Sequence, residues 1–230
     1  MIRTQPEVLI WDWNGTLLDD VNLCVRAVNA LCQKRNLPEI GLKEYQEKFT
    51  FPVIDYYRAV GFDFVKEPFE IPALEWITFY SNRVKHEAFL YPDALNVLRW
   101  AKENGLKQII LSAHQKEMLL VLLEHFGITP FFDSIWALET YEAKGKTHLA
   151  HEMFNHYEFT PDSVVLIGDT LHDHEVAQEL QIPCLLVAQG HQSRERLLQA
   201  RVPVLDSLKD VPPYIDAWSR DRKTPRIVDK

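Results

Sequence analysis

Val8-Leu9-Ile10-Trp11-Asp12-Trp13-Asn14-Gly15-Thr16-Leu17-Leu18-Asp19-Asp20 carries an apolar run straight into a carboxylate, with a glycine three residues further on. The run reads as a strand buried on both faces, the habit of parallel sheets. In such sheets ligands bind just past the carboxyl ends of the strands. Asp12 is therefore expected at the mouth of a site, with Gly15 permitting a sharp turn and Thr16 offering a hydroxyl. Helix capping is the other common use of an aspartate in this setting. Asp19 and Asp20 are better placed for it, because a helical pattern starts directly after them.

Outward from this stretch, Val21 to Arg35 has helical spacing at Leu23, Ala27, Leu31 and Cys32. Lys43 to Phe49 suggests a short helix, and Phe51-Pro52 opens another that Gly61 stops. Pro72 opens a long helix through Trp76 and Tyr80 to Val84. Residues 18 to 87 thus show no strand pattern, which is the signature of a helical insertion after the first strand. Beyond it strands and helices alternate. Strands are expected at Gln108–Ser112, Ser134–Leu138, Val164–Asp169, Pro183–Val187 and Val202–Leu205. Helices are expected at 93–103, 116–126, 146–157, 172–180, 193–200 and 208–218. The alternation predicts an α/β fold, a doubly wound parallel sheet with an inserted all-helical cap. The expected division is a core of residues 1–17 and 89–218, a cap of 18–88 and a loose charged tail of 219–230.

The net charge of −8 argues against a nucleic-acid surface. Three cysteines without metal-ligand spacing read as free thiols of a reducing compartment. No leader and no membrane-length apolar run is seen, so a cytoplasmic protein without a membrane partner is expected.

Three of the expected strands end on Asp12, Ser112 and Asp169. Gly168-Asp169-Thr170-Leu171-His172-Asp173 sets two carboxylates across a strand-to-helix turn. With Asp12 they make a pocket whose charges resist joint ionisation unless a cation is present. Mg²⁺ suits it, because it takes one or two carboxylates, keeps waters and accepts a phosphate oxygen. Ser112 could hold a phosphate oxygen, although serine after a strand is usually turn chemistry. In Ala143-Lys144-Gly145-Lys146 either lysine could meet a phosphoryl group or the nucleophile. His114, His172 and His174 could each touch substrate, although a surface or capping role is the commoner reading, and Gly190-His191-Gln192 is a candidate for the rim.

The set Asp12-Trp13-Asn14-Gly15-Thr16, Ser112, Lys144/Lys146 and Gly168-Asp169 with Asp173 resembles the haloacid dehalogenase-like hydrolase superfamily. It looks most like the branch related to phosphoglycolate phosphatases, and the resemblance spans roughly Val8 to Leu205. It implies an aspartyl-phosphate on Asp12. It implies Mg²⁺ held by Asp12, the Asn14 backbone carbonyl and Asp169, with Asp173 supporting the metal directly or through water. Ser112 and a lysine would hold the transferring phosphoryl group, which comes from a small phosphorylated substrate. The family phrase favours Lys144 as that lysine, while counting back from Asp169 also allows Lys146. The family's phosphatases usually carry a second Asp, the general acid and base, where this chain has Asn14. A carboxamide can hydrogen-bond a leaving oxygen but cannot protonate it. Two other readings accommodate Asn14: a 2-haloacid dehalogenase, against which Gly168-Asp169 speaks, and a phosphate-binding regulatory protein with little or no turnover.

Overall fold

The structure, a computed structural model, describes residues 6–140 and 146–220, with side chains to residue 218. Six parallel strands form one sheet in the order β5-β4-β1-β6-β7-β8. They are β1 (Val8–Trp11), β4 (Lys107–Gln115), β5 (Ser134–Leu138), β6 (Val164–Gly168), β7 (Cys184–Val187) and β8 (Val204–Leu205). β1 is central, and its four residues are all buried, as a strand covered on both faces must be. Successive side chains point to opposite faces. Leu9 and Trp11 join a core with α6 (Ala94–Glu103), α7 (Lys116–His125) and α11 (Val211–Arg220). Val8 and Ile10 join a second core with α8 (Thr147–Tyr157), α9 (Leu171–Glu179) and, through Leu197, α10 (Arg194–Leu197). This is the doubly wound arrangement expected from the alternation of elements.

The inserted region holds α1 (Val21–Lys34), α2 (Leu42–Lys48), α3 (Val53–Val60), α4 (Glu70–Ser81) and α5 (Val84–Glu87). The residues picked out for α1 by their spacing are all buried. Gly61 ends α3 with φ +114°, a conformation side chains rarely take. α4 differs from expectation at both ends. Pro72 is its third residue rather than its first, which is tolerated because first-turn N–H groups need no helical acceptor. The helix stops at Ser81, and α5 follows separately.

The expectation of no strand between residues 18 and 87 is also corrected. β2 (Leu18–Asp19) pairs antiparallel with β3 (Phe89–Leu90), so two short strands bracket the helical region where it leaves and rejoins the sheet. Two residues are too few to show an alternating pattern, and only their pairing defines them. β4 likewise runs on past Ser112 to Gln115, with its pairing to β5 shifting register between those two residues. The region over the sheet is tied down by side chains. Gln192 Nε2 and Arg196 both donate to the Phe49 carbonyl (2.9 and 2.6 Å), and Gln46 Nε2 donates to the Gly190 carbonyl (2.9 Å). No helix among the described residues is long and apolar enough to cross a membrane. The expected tail lies, from residue 221 on, outside the described residues.

Candidate active site

Strand register builds the site. Trp11 of β1 stands opposite Ile110 of β4 and Ile167 of β6. Asp12, Ser112 and Asp169 lie one or two residues past that shared rung, so parallel pairing alone delivers all three to one end of the sheet. All three are buried, and Asp12 is the most open at 9% exposure.

Lys146, directly before α8, reaches into the same space. Its Nζ lies against Asp12 Oδ1, sits 2.6 Å from Asp173 Oδ1 and donates to the Leu111 carbonyl at 3.0 Å. Lys144 lies outside the described residues. Asp173 divides its work: Oδ2 accepts from Thr170 Oγ1 (2.7 Å) and from the Thr170 and Asp169 amides, capping α9, while Oδ1 faces Lys146. Helix capping and site chemistry, alternatives in the sequence, are here two oxygens of one carboxylate. Ser112 Oγ accepts from the His114 amide at 3.0 Å, which leaves its own hydrogen free to donate.

Asp169 is held in a backbone nest. Oδ1 accepts from Thr16 Oγ1 (3.0 Å) and Oδ2 from the His191 amide (2.6 Å). A Cβ at Gly15 or Gly190 would lie 2.2 or 2.1 Å from Asp169 Oδ2, so both positions require glycine. Ligand atoms of Asp12, Asp169 and Asp173 all lie within 4.8 Å of one another. Burial, with the other two carboxylates adding, lifts Asp12 to about 8 against the pull of Lys146. Burial lifts Asp169 to about 6. Three buried carboxylates facing one ammonium are short by two positive charges. That deficit fits a divalent cation, and the oxygen-only donors fit a hard one.

A second polar cluster adjoins the first. Asp20 stands at the N-cap position of α1 yet makes no capping hydrogen bond; its carboxylate turns into the site instead. Oδ2 accepts from Asn14 Nδ2 (2.7 Å) and Tyr80 Oη (2.7 Å), and Oδ1 accepts from the Gly15 amide (3.2 Å). Asn14 Nδ2 also donates to Tyr80 Oη at 2.9 Å, so both amide hydrogens are spent. His191 Nε2 lies 3.3 Å from Asp20 Oδ1, and its Nδ1 lies 2.8 Å from Tyr45 Oη. Burial alone would lower the His191 imidazole; the Asp20 carboxylate outweighs it and raises it to about 9. The same pairing, with hydrogen bonds from Tyr80 and Asn14, holds Asp20 below its ordinary range despite burial. Although Cys24 completes a possible ligand triad here, the Asp20–His191 pair balances its own charge and calls for no ion.

Asp20, Tyr80 and Tyr45 were not identifiable as site residues from the sequence, whereas His191, read there as a rim candidate, is buried within the site. The doubled Asp19-Asp20 was the one available signal, and it read as a cap. His172 borders the site, with Nε2 3.4 Å from the Lys146 amide and its ring stacked on Phe51. His114 is half-buried in the wall of the same cavity.

The family pattern described as haloacid dehalogenase-like hydrolase matches residues 9–187. A phosphoglycolate phosphatase of Nitrosococcus oceani is 24% identical over 198 residues, covering 81% of this chain and 87% of that protein. One of Caulobacter vibrioides is 25% identical over 214 residues, covering 89% and 88%. A crystal structure of a predicted phosphatase from Clostridium acetobutylicum superposes with a TM-score of 0.79 at 18% identity, over 93% of this chain and all of that one, which shows a shared fold. With the sheet order, the acidic strand ends and the matched span in agreement, the chain belongs to the haloacid dehalogenase-like hydrolases.

Proposed function

We propose that the chain is a Mg²⁺-dependent phosphoric monoester hydrolase that acts on a small phosphorylated metabolite through Asp12. The observation that carries this reading is the deficit of two positive charges among Asp12, Asp169, Asp173 and Lys146 at the floor of an open cavity. Asp12, Asp169 and the Asn14 backbone carbonyl would hold the metal, with Asp173 behind them. Bound there, Mg²⁺ supplies charge neutralisation to the phosphoryl oxygens.

The rest is done by the chain. Asp12, the most open of the three carboxylates, attacks phosphorus, and the ester oxygen departs with the bonding pair. Lys146 holds Asp12 Oδ1 in place and faces the charge that develops on the transferring group. We assign it the role of the phosphate-binding lysine in preference to Lys144. Ser112 donates its free hydrogen to a phosphoryl oxygen. Water then attacks the aspartyl-phosphate, releasing phosphate and restoring the carboxylate. The names of the curated relatives support a place in the phosphoglycolate phosphatase-like branch.

A second reading, an attenuated phosphate-binding regulator, is favoured by one feature: Asn14 cannot donate or accept a full proton. The test is hydrolysis of acetyl phosphate, whose leaving group needs no proton. Activity is expected with Mg²⁺, to vanish with chelator, and to be abolished in Asp12→Asn while the melting temperature is retained. Mg²⁺-dependent phosphate binding without any turnover would support the regulator. Chelator-insensitive chloride release from a 2-haloacid would sink the phosphatase reading in favour of a dehalogenase.

A further inference from the structure

Above Asp12 the inserted region closes over a cavity of about 200 Å³. The same space is lined below by Asp12, Ser112, Lys146 and Asp169, so it takes the phosphoryl group as well as what the phosphate is esterified to; an apolar cavity of about 150 Å³ holds benzene, and on that scale one ring fits and little more. Its upper walls come from residues 45 to 81 and include Phe49, Phe51, Tyr56, Trp76, Ile77 and Tyr80; none of the wall residues in that span is charged. The rings meet at the angles aromatic clusters favour, with Phe49 and Phe51 edge to face and Trp76 stacked on Tyr80 at 4.7 Å.

Cations in the lining are already taken among the described residues. Lys146 serves Asp12 and Asp173, His191 serves Asp20, and His172 Nδ1 lies 3.2 Å from Glu175 Oε2. His114 is kept neutral by burial, its imidazole lowered to about 4. A leaving group that bears a carboxylate would be buried there without a partner, at high cost.

Asn14 adds an independent constraint. Both hydrogens of its amide are held by Asp20 and Tyr80, and no carboxylic acid stands at its position to protonate the departing oxygen. An ester hydrolysed without such an acid reacts fastest where the departing oxygen is stable as an anion. Aromatic walls and a missing acid agree on one class.

We propose that the substrate is an aryl phosphomonoester: an uncharged aromatic ring, released as a phenolate after transfer of phosphorus to Asp12. This rests on the phosphatase reading above and adds the substrate class to it. In the step itself the P–O(aryl) bond breaks as the Asp12 O–P bond forms, and the phenolate takes its proton from solvent on release.

The test measures binding and turnover separately. With Mg²⁺ present, calorimetric titration of the Asp12→Asn protein should show phenyl phosphate bound at least ten-fold more tightly than phosphoglycolate or ethyl phosphate. Ile77→Lys in the same background places a cation in the upper wall and should erase or reverse the preference for phenyl phosphate over phosphoglycolate. Trp76→Ala should weaken phenyl phosphate by about ten-fold while phosphoglycolate changes little; melting curves establish that each variant is folded. Equal binding of the three esters, or a preference for phosphoglycolate, overturns the substrate class even if the wild type hydrolyses acetyl phosphate. Selective phenyl phosphate binding without turnover of any ester by the wild type upholds the class as ligand and removes the phosphatase reading.

Discussion

Asn14 has no spare hydrogen, because Asp20 and Tyr80 take both. Asp20 is also what orients it: an ionised carboxylate only accepts, so the amide nitrogen must face it. The position that would bear the general acid is thereby built into a fixed hydrogen-bond cluster. Asn14→Asp would set a second buried carboxylate against Asp20, 2.7 Å from where the amide nitrogen now sits. Two carboxylates that close share a proton rather than both ionise, and a shared proton is available to a leaving group. General acid catalysis is worth about 10²–10⁴ in rate. The variant is expected to hydrolyse alkyl phosphates on the order of 10²-fold faster than wild type while changing aryl phosphates little, at a cost of about 2 kcal/mol in stability from the lost amide–carboxylate bonds. Rates across esters of graded leaving-group basicity, with urea melts, check both. A flat profile in the wild type would move the acid role to another group, with His114 and His172 the first to examine.

At the scale of elements, the site depends on how closely the loops after β1 and β7 approach β6. Gly190 follows β7, and a Cβ on it would meet Asp169 Oδ2 at 2.1 Å and the Gly15 carbonyl at 2.5 Å. Its φ is not positive, so the requirement is one of space rather than backbone conformation. Gly190→Ala is expected to push Asp169 out of its nest, costing roughly 1–3 kcal/mol as an overpacked core position does. It should also cut Mg²⁺-dependent activity by on the order of 10²-fold, since misplacement of a site group by about 1 Å has that effect. Gly41→Ala is the control: nothing lies within 4 Å of its Cβ, and stability should stay within about 0.5 kcal/mol. Equal effects of the two substitutions would remove the close-approach argument.

Across the whole molecule, three of the buried groups with raised proton affinity are brought into the range between pH 6 and 9: Asp12 to about 8, Asp169 to about 6 and His191 to about 9. A raised group stabilises the fold most below its unfolded value and loses that contribution as pH rises through its folded value. For His191 the loss falls between the ordinary 6.5 and about 9 and is on the order of 3 kcal/mol. Asp12 and Asp169 act in the same direction. Asp20 and Asp173, which are lowered, matter only in acid. Metal-free protein should therefore melt roughly 10–20 °C lower at pH 9 than at pH 6. Mg²⁺ requires ionised carboxylates, so it should raise the melting temperature more at pH 8.5 than at pH 6. Thermal melts with chelator and with Mg²⁺ over that range decide it. A melting temperature independent of pH, or a Mg²⁺ effect equal at both values, contradicts the charge deficit.

The alternation of apolar runs and amphipathic helices was legible in the chain itself, because side-chain period is a local property that burial enforces. Asp12, Ser112 and Asp169 were legible as polar ends of buried strands and Asp173 as a carboxylate four residues past the last of them, with capping and turn chemistry competing for each until strand register brings them together. Lys146 against Lys144 was not decidable by spacing; Lys146 lies beside Asp12, while Lys144 falls outside the described residues. Asp20 was misread because a carboxylate before a helix looks like a cap until Tyr80, 60 residues away, and His191 arrive beside it. The two-residue strands β2 and β3 and the aromatic cavity likewise exist only as encounters between distant segments. Local pattern determined which elements form and which strand ends are polar. Tertiary packing alone decided which charges are balanced, which are two short, and that the space above them is walled by aromatic rings.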